Sequence, residues 1–138
     1  MSETNYTEID FDSVGAKLRG RLYRSISSNS PLVIMAHGFT ATAHMSLNKI
    51  AERLAEYGNH ILVYDHRNFG LSDGAPRYAV DQWIQIRGYS DAISSVLKIE
   101  DLTIAFIICS HVSFLPGSIG RHIDSKAIFS FLILTVVY

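Results

Sequence analysis

Three short apolar runs, in "PLVIMAHG", "HILVYD" and "LTIAFII", set the tightest limit on what this chain can fold into. Each is continuous rather than alternating, which is the pattern of a strand buried on both faces. The segments between them have helical spacing. "SLNKIAERLAEYG" places Ile50, Leu54 and Tyr57 at helical intervals, with Gly58 as a C-terminal stop. "VDQWIQIRGYSDAISSVLKIE" offers Asp81 as N-cap and sets Trp83, Ile86, Ile93 and Val96 near one face, with Gly88 weakening its middle. Ahead of the first run, "YTEIDFDSVGAKLRGRLYRS" alternates with period two. Ile9 and Phe11 share one face and Leu18 and Leu22 another, about a turn at Ser13 to Gly15. Hairpin, strand, helix, strand, helix, strand predicts an α/β fold: an N-terminal hairpin plus a mostly parallel sheet flanked by helices. Ligands of such sheets sit at the carboxyl ends of the strands. Those ends carry "HGFTAT", "DHRNFG" and "CSHVS".

The 138 residues suffice for one domain with a core, and a formal net charge of −1 gives no reason to expect nucleic acid or an acidic membrane as partner. Cys109 is the single cysteine, so no internal disulfide forms. The polar, acidic start "MSETNYTEIDFDS" is neither a signal nor a transit peptide, and an intracellular, cytoplasmic protein is expected. The C-terminal "VVY" is no targeting tripeptide; a peroxisomal signal on a missing true end stays open. After Asp101 only Arg121, Asp124 and Lys126 are charged, and the chain ends in "AIFSFLILTVVY". That run is shorter than the roughly 20 residues of a membrane-spanning helix. It reads as an interior strand whose continuation is missing, or as sequence foreign to the fold.

"HGFTAT" runs from a strand into a helix and offers backbone N–H groups to an anion or a developing oxyanion. It lacks the Lys-Ser/Thr of a phosphate loop. In "DHRNFGLSDG", Asp65 and Arg67 are expected to pair and order a tight loop containing Gly70, Ser72 and Gly74. His44, His60 and His66 are scattered, and no metal-ligand spacing occurs. Trp83 and Tyr89 read as helix packing or pocket rim, and Cys109 as a small buried hydrophobe.

Taken together, "VIMAHGFTAT", a helix and "ILVYDHRNFGLSDG" resemble the α/β-hydrolase superfamily. The second segment looks like its Asp-x-Arg-Gly-x-Gly-x-Ser loop, with Asn68 in place of the first Gly. "GAPRYAVDQWIQIRGYSDAISSVL" is similar to a subgroup of small hydrolases and acyl transferases that includes fungal polyketide-transferase-like proteins of secondary metabolism. The resemblance covers about residues 8–107. It implies cleavage of a small-molecule ester, thioester or peptide, or acyl transfer, through a serine acyl-enzyme and without a cofactor. It also implies that His37, Gly38, Asp65, Arg67 and Gly70 structure the loops, His37 as a support and not a general base.

The family's nucleophile sits on a strand-to-helix turn, Gly-x-Ser-x-Gly. Carried over without a gap, "TIAFIICSHV" sets Ser110 at that place, with the backbone N–H groups of Phe39 and His111 as oxyanion donors. Ile108 and Val112 stand at the two glycine positions, where β-branched residues crowd the turn. The catalytic acid and base are not identified; His122 and Asp124 follow Ser110 without a recognisable context. Residues 1–107 therefore read as the N-terminal part of an α/β-hydrolase domain, and 108–138 as a divergent apolar tail. The fold is expected to be incomplete, with an exposed sheet edge that favours self-association. Two functional readings follow: a serine hydrolase or acyl transferase, or an inactive truncated remnant or interaction fragment without a complete triad.

Overall fold

In a computed structural model, the described residues are 6–37, 42–99, 102–109 and 130–132. Strands β1 (Tyr6–Ser13) and β2 (Ala16–Tyr23) form the hairpin, paired antiparallel from Tyr6↔Tyr23 to Ser13↔Ala16. Its two-residue turn has Val14 at φ 48° and Gly15 at φ 71°. Two successive left-handed residues suit the twist of a hairpin, and glycine takes that conformation without steric cost. The register opposes Phe11 to Leu18, so the hairpin folds Ile9, Phe11, Leu18 and Leu22 onto a single core. This corrects the expectation of two separate apolar faces: antiparallel pairing turns the two stripes toward the same side.

Strands β3 (Pro31–Ala36), β4 (His60–Tyr64), β5 (Thr103–Cys109) and β6 (Ser130–Leu132) complete a six-stranded sheet of order β1-β2-β4-β3-β5-β6. β2 and β4 pair antiparallel; β3 pairs parallel with β4 and with β5, and β5 with β6. Part of the apolar tail thus joins the sheet beside β5.

The continuous apolar runs are explained by the two layers that cover the sheet. Leu32, Ile34, Ala36, Leu62 and Tyr64 point to the face packed by helix α2 (Gln82–Val96), where they meet Ile86, Tyr89, Ile93 and Val96. Val33, Met35, Ile61 and Val63 point to the other face, under helix α1 (Asn48–Glu56), with Ala51, Leu54 and Ile50. Each strand alternates, but both faces are buried, so no polar residue is needed in either register.

A single π-helical turn, Ala43–Leu47, leads into α1, and Gly58 ends that helix at φ 86°. Asp81 caps α2: its carboxylate accepts from the N–H groups of Trp83 at 2.9 Å and Ile84 at 3.1 Å. Asp81→Ala is expected to cost about 1 kcal/mol, read from the urea midpoint. Trp83 departs from the expected helix face. It is 76% exposed, while Tyr89 is buried.

Candidate functional site

The parallel strands β3 and β4 end at His37 and Asp65–His66, and these three side chains are all buried. Desolvation of a carboxylate this deep must be offset by donors. The Asp65 carboxylate accepts from the N–H of Ala43 at 2.7 Å through Oδ1, and from the N–H of Leu71 at 3.1 Å through Oδ2. His37 Nε2 lies 3.7 Å from Oδ1 but accepts the backbone N–H of His66 at 3.0 Å. That N–H occupies the Nε2 lone pair, so the same nitrogen is not free to act as a general base.

The expected Asp65–Arg67 ion pair does not form. Asp65 turns inward to backbone donors, whereas Arg67 donates through Nη1 to the Val14 carbonyl at the hairpin turn. Arg67 therefore fastens the loop to β1–β2 rather than to its own neighbour.

The rest of the loop is held from several sides. Ser72, buried, donates to the Asp65 carbonyl at 2.6 Å and accepts the Arg19 N–H at 2.9 Å. Arg77 donates to the carbonyls of Gly70 and Ser72 at 2.7 and 2.6 Å. Asn68 has φ 72° and donates to the Ala79 carbonyl at 2.9 Å. Asparagine tolerates this left-handed conformation better than other non-glycine residues, which explains its standing in a glycine position. Gly70 has φ 50°, and a Cβ there would overlap the Asp65 carboxylate.

Sequence reasoning missed the role of His66. Its ring packs edge-on against His37, Tyr64 and Tyr89 at centroid distances of 4.9, 5.4 and 5.4 Å. Neither ring nitrogen has a hydrogen-bond partner. Burial, with a smaller contribution from His37, pushes its pKa down to about 3. The only sequence signal was its place directly after a strand-ending aspartate; the aromatic box comes from three different elements. His60 is also buried and accepts the Ser25 N–H at 3.0 Å, while His44 is exposed.

A recess of about 220 Å³ opens beside Asp65, lined by Arg19, Gly20, Arg21, Ala43 and His44 among others. Arg19 is committed to Asp73 at 2.6 Å, and Arg21 lies over the Tyr6 ring at 4.3 Å. No group of three or more His, Cys, Asp or Glu side chains that could hold a metal ion gathers among the described residues. No helix among them is long and apolar enough to cross a membrane. Ser110, the expected nucleophile, and Phe39, His111 and Gly38 lie outside the described residues, as do His122 and Asp124. β5 ends at Cys109, opposite Ala36 of β3.

The sheet order, the helices on both faces and the loop built on Asp65 at the strand ends define an α/β-hydrolase-like protein. Within that class, the chain is related to the fungal thiohydrolases and polyketide transferases. It is 43% identical over 93 residues to the thiohydrolase aneE of Aspergillus aculeatus, covering 67% of this chain and 29% of that protein. It is 31% identical over 127 residues to the polyketide transferase claH of Penicillium crustosum, covering 85% of this chain and 41% of that protein. The crystal structure of the α/β hydrolase GrgF from Penicillium sp. sh18 superimposes with a TM-score of 0.68 at 23% identity, over 77% of this chain and 45% of that one. No family model matches the chain. The chain thus spans well under half the length of these two curated relatives.

Proposed function

We propose that this chain supplies the front half of a serine acyl-transfer site, acting on a small-molecule ester or thioester. Ser110 is the nucleophile on this reading, and the backbone N–H groups of Phe39 and His111 receive the oxyanion. The acyl group passes to water or to an acceptor alcohol or amine, with no cofactor and in the cytoplasm. The observation that supports it best is the pairing of Ala36 with Cys109. β3 and β5 run parallel and end side by side, so the chain leaves adjacent strand ends toward Phe39 and toward Ser110. A fluorophosphonate probe tests it. Labelling of the folded protein that disappears in Ser110→Ala supports the reading; a folded protein that takes no label contradicts it.

The second reading is a non-catalytic remnant or interaction fragment. It is favoured by Ile108 and Val112, which stand where a nucleophile turn needs glycine. Self-association belongs to that reading. β1 is a poor edge for it: Glu8, Asp10 and Asp12 are all exposed there, and like charges along an edge oppose strand pairing. Association would therefore use another surface.

A further inference from the structure

The loop of residues 24–30 joins β2 to β3 at the end of β3 away from His37. Its two sides are fastened. The Ser25 N–H donates to His60 Nδ1 at 3.0 Å, and the buried Ser30 donates through its hydroxyl to the Ser25 hydroxyl at 2.9 Å. Between these anchors Ile26, Ser27, Ser28 and Asn29 are all exposed, Ile26 completely so. Arg24, also exposed, stands three residues before Ser27.

We propose that Ser27 is a phosphorylation site for an arginine-directed serine/threonine kinase. Such an enzyme selects its substrate with an acidic subsite that pairs with a guanidinium three residues ahead of the acceptor hydroxyl. The Arg-x-x-Ser spacing occurs twice in the chain, at Arg24/Ser27 and at Arg87/Ser90, and the structure separates the two. Ser90 lies inside α2 next to the buried Tyr89, and its carbonyl accepts the Ser94 hydroxyl at 3.0 Å. Arg87 is drawn to Asp91 at 3.3 Å. Presenting Ser90 to an enzyme cleft would require unwinding a packed helix. Presenting Ser27 costs two exposed bonds, its N–H to the Ser25 hydroxyl and the Ser30 N–H to its carbonyl. Both measure 3.3 Å, beyond the usual range for N–H···O. Ser25 is the poorer acceptor because its hydroxyl already receives Ser30, and Ser28 stands one residue out of the spacing.

In the transfer, Ser27 Oγ bonds to the γ-phosphorus of a nucleoside triphosphate while the bond from that phosphorus to the bridging oxygen breaks. The hydroxyl proton passes to the base of the kinase, the nucleoside diphosphate leaves, and nothing is oxidised or reduced. The product adds roughly −1.5 to −2 charges at neutral pH. Arg24 is the single charged residue of the loop, so the modification reverses the sign of its charge. β3 begins at Pro31, beyond the modified tip, and carries His37 at its other end. The bonds that hold Asp65 and His66 there are unaffected, and the modification acts on surface charge.

The test incubates the folded protein with Mg-ATP and the catalytic subunit of the cyclic-AMP-dependent protein kinase, an arginine-directed enzyme, and maps the product by peptide mass. The expected result is one added HPO₃ group on Ser27, absent from Ser27→Ala, with Ser90 unmodified. Arg24→Ala is expected to lower kcat/KM for the transfer about tenfold or more, through loss of the charge-assisted pair with the kinase. Ser28→Ala should leave it unchanged. Arg24, Ser27 and Ser28 are exposed, so all three variants should keep the wild-type urea midpoint. Phosphate on Ser25, Ser28 or Ser90 in place of Ser27, transfer to Arg24→Ala at the wild-type rate, or folded protein that takes no phosphate would overturn the assignment.

Discussion

Gly70→Ala is expected to destabilise the protein by on the order of 3 kcal/mol. Two costs combine. The backbone is left-handed at φ 50°, where a Cβ is unfavourable by roughly 1 kcal/mol. The new Cβ would also overlap Oδ2 and Cγ of Asp65, a carboxylate fixed by two backbone donors. Relief requires moving Asp65, and that breaks the bond to Ala43. Gly15→Ala is the control. Gly15 is left-handed at φ 71° but has nothing within 4 Å of its added Cβ, so only the backbone cost applies. Urea unfolding should therefore show Gly70→Ala at about three times the loss of Gly15→Ala, and equal losses would contradict the packing described around Asp65.

Acid should weaken the fold through His66. The folded-state pKa is lowered to about 3 from an ordinary value of 6.5, so the unfolded chain binds a proton that the folded one refuses. Stability from this residue is complete above about pH 6.5 and is lost progressively as the pH falls from there toward 3. By pH 5 the loss is about 2 kcal/mol from this residue alone. The groups that face the ring are His37 at the end of β3, Tyr64 on β4 and Tyr89 on α2. None supplies a negative charge to hold the imidazolium, and neither ring nitrogen has a hydrogen-bond partner. His66→Phe keeps an aromatic ring in the box without a titrating group. It is expected to flatten the dependence of the urea midpoint between pH 7 and 5. A slope as steep as that of the wild type would place the acid sensitivity elsewhere.

Much of the architecture was legible because burial leaves a periodic trace. The apolar runs, the Asp81 cap and the Ser13–Gly15 turn could be read locally. So could the hydrolase-like loop, since Asp65, Gly70 and Ser72 lie within a few residues of one another. What escaped was set by contacts between distant elements. Arg67 could be seen next to Asp65 in sequence, but not that the Val14 carbonyl would claim it. Trp83 fits a helical stripe, yet its side chain stands out to solvent. His66 looked like one scattered histidine among several, because its partners arrive from β3, β4 and α2. The candidate site divides in the same way. His37, Asp65, Arg67 and Gly70 lie within the described residues, whereas Gly38 and the proposed reacting positions Phe39, Ser110 and His111 lie outside them.

Whether these residues serve a covalent step at Ser110 can be measured directly. The folded protein is incubated with a short-chain acyl thioester, quenched in acid and mapped by peptide mass. In that step the serine oxygen bonds to the acyl carbon, the thiol departs with the serine proton, and the protein gains the mass of the acyl group less one hydrogen. The expected result is that adduct on Ser110, absent from Ser110→Ala. Folded protein that carries no adduct, or carries it on the neighbouring Cys109, would contradict the assignment of Ser110 as nucleophile.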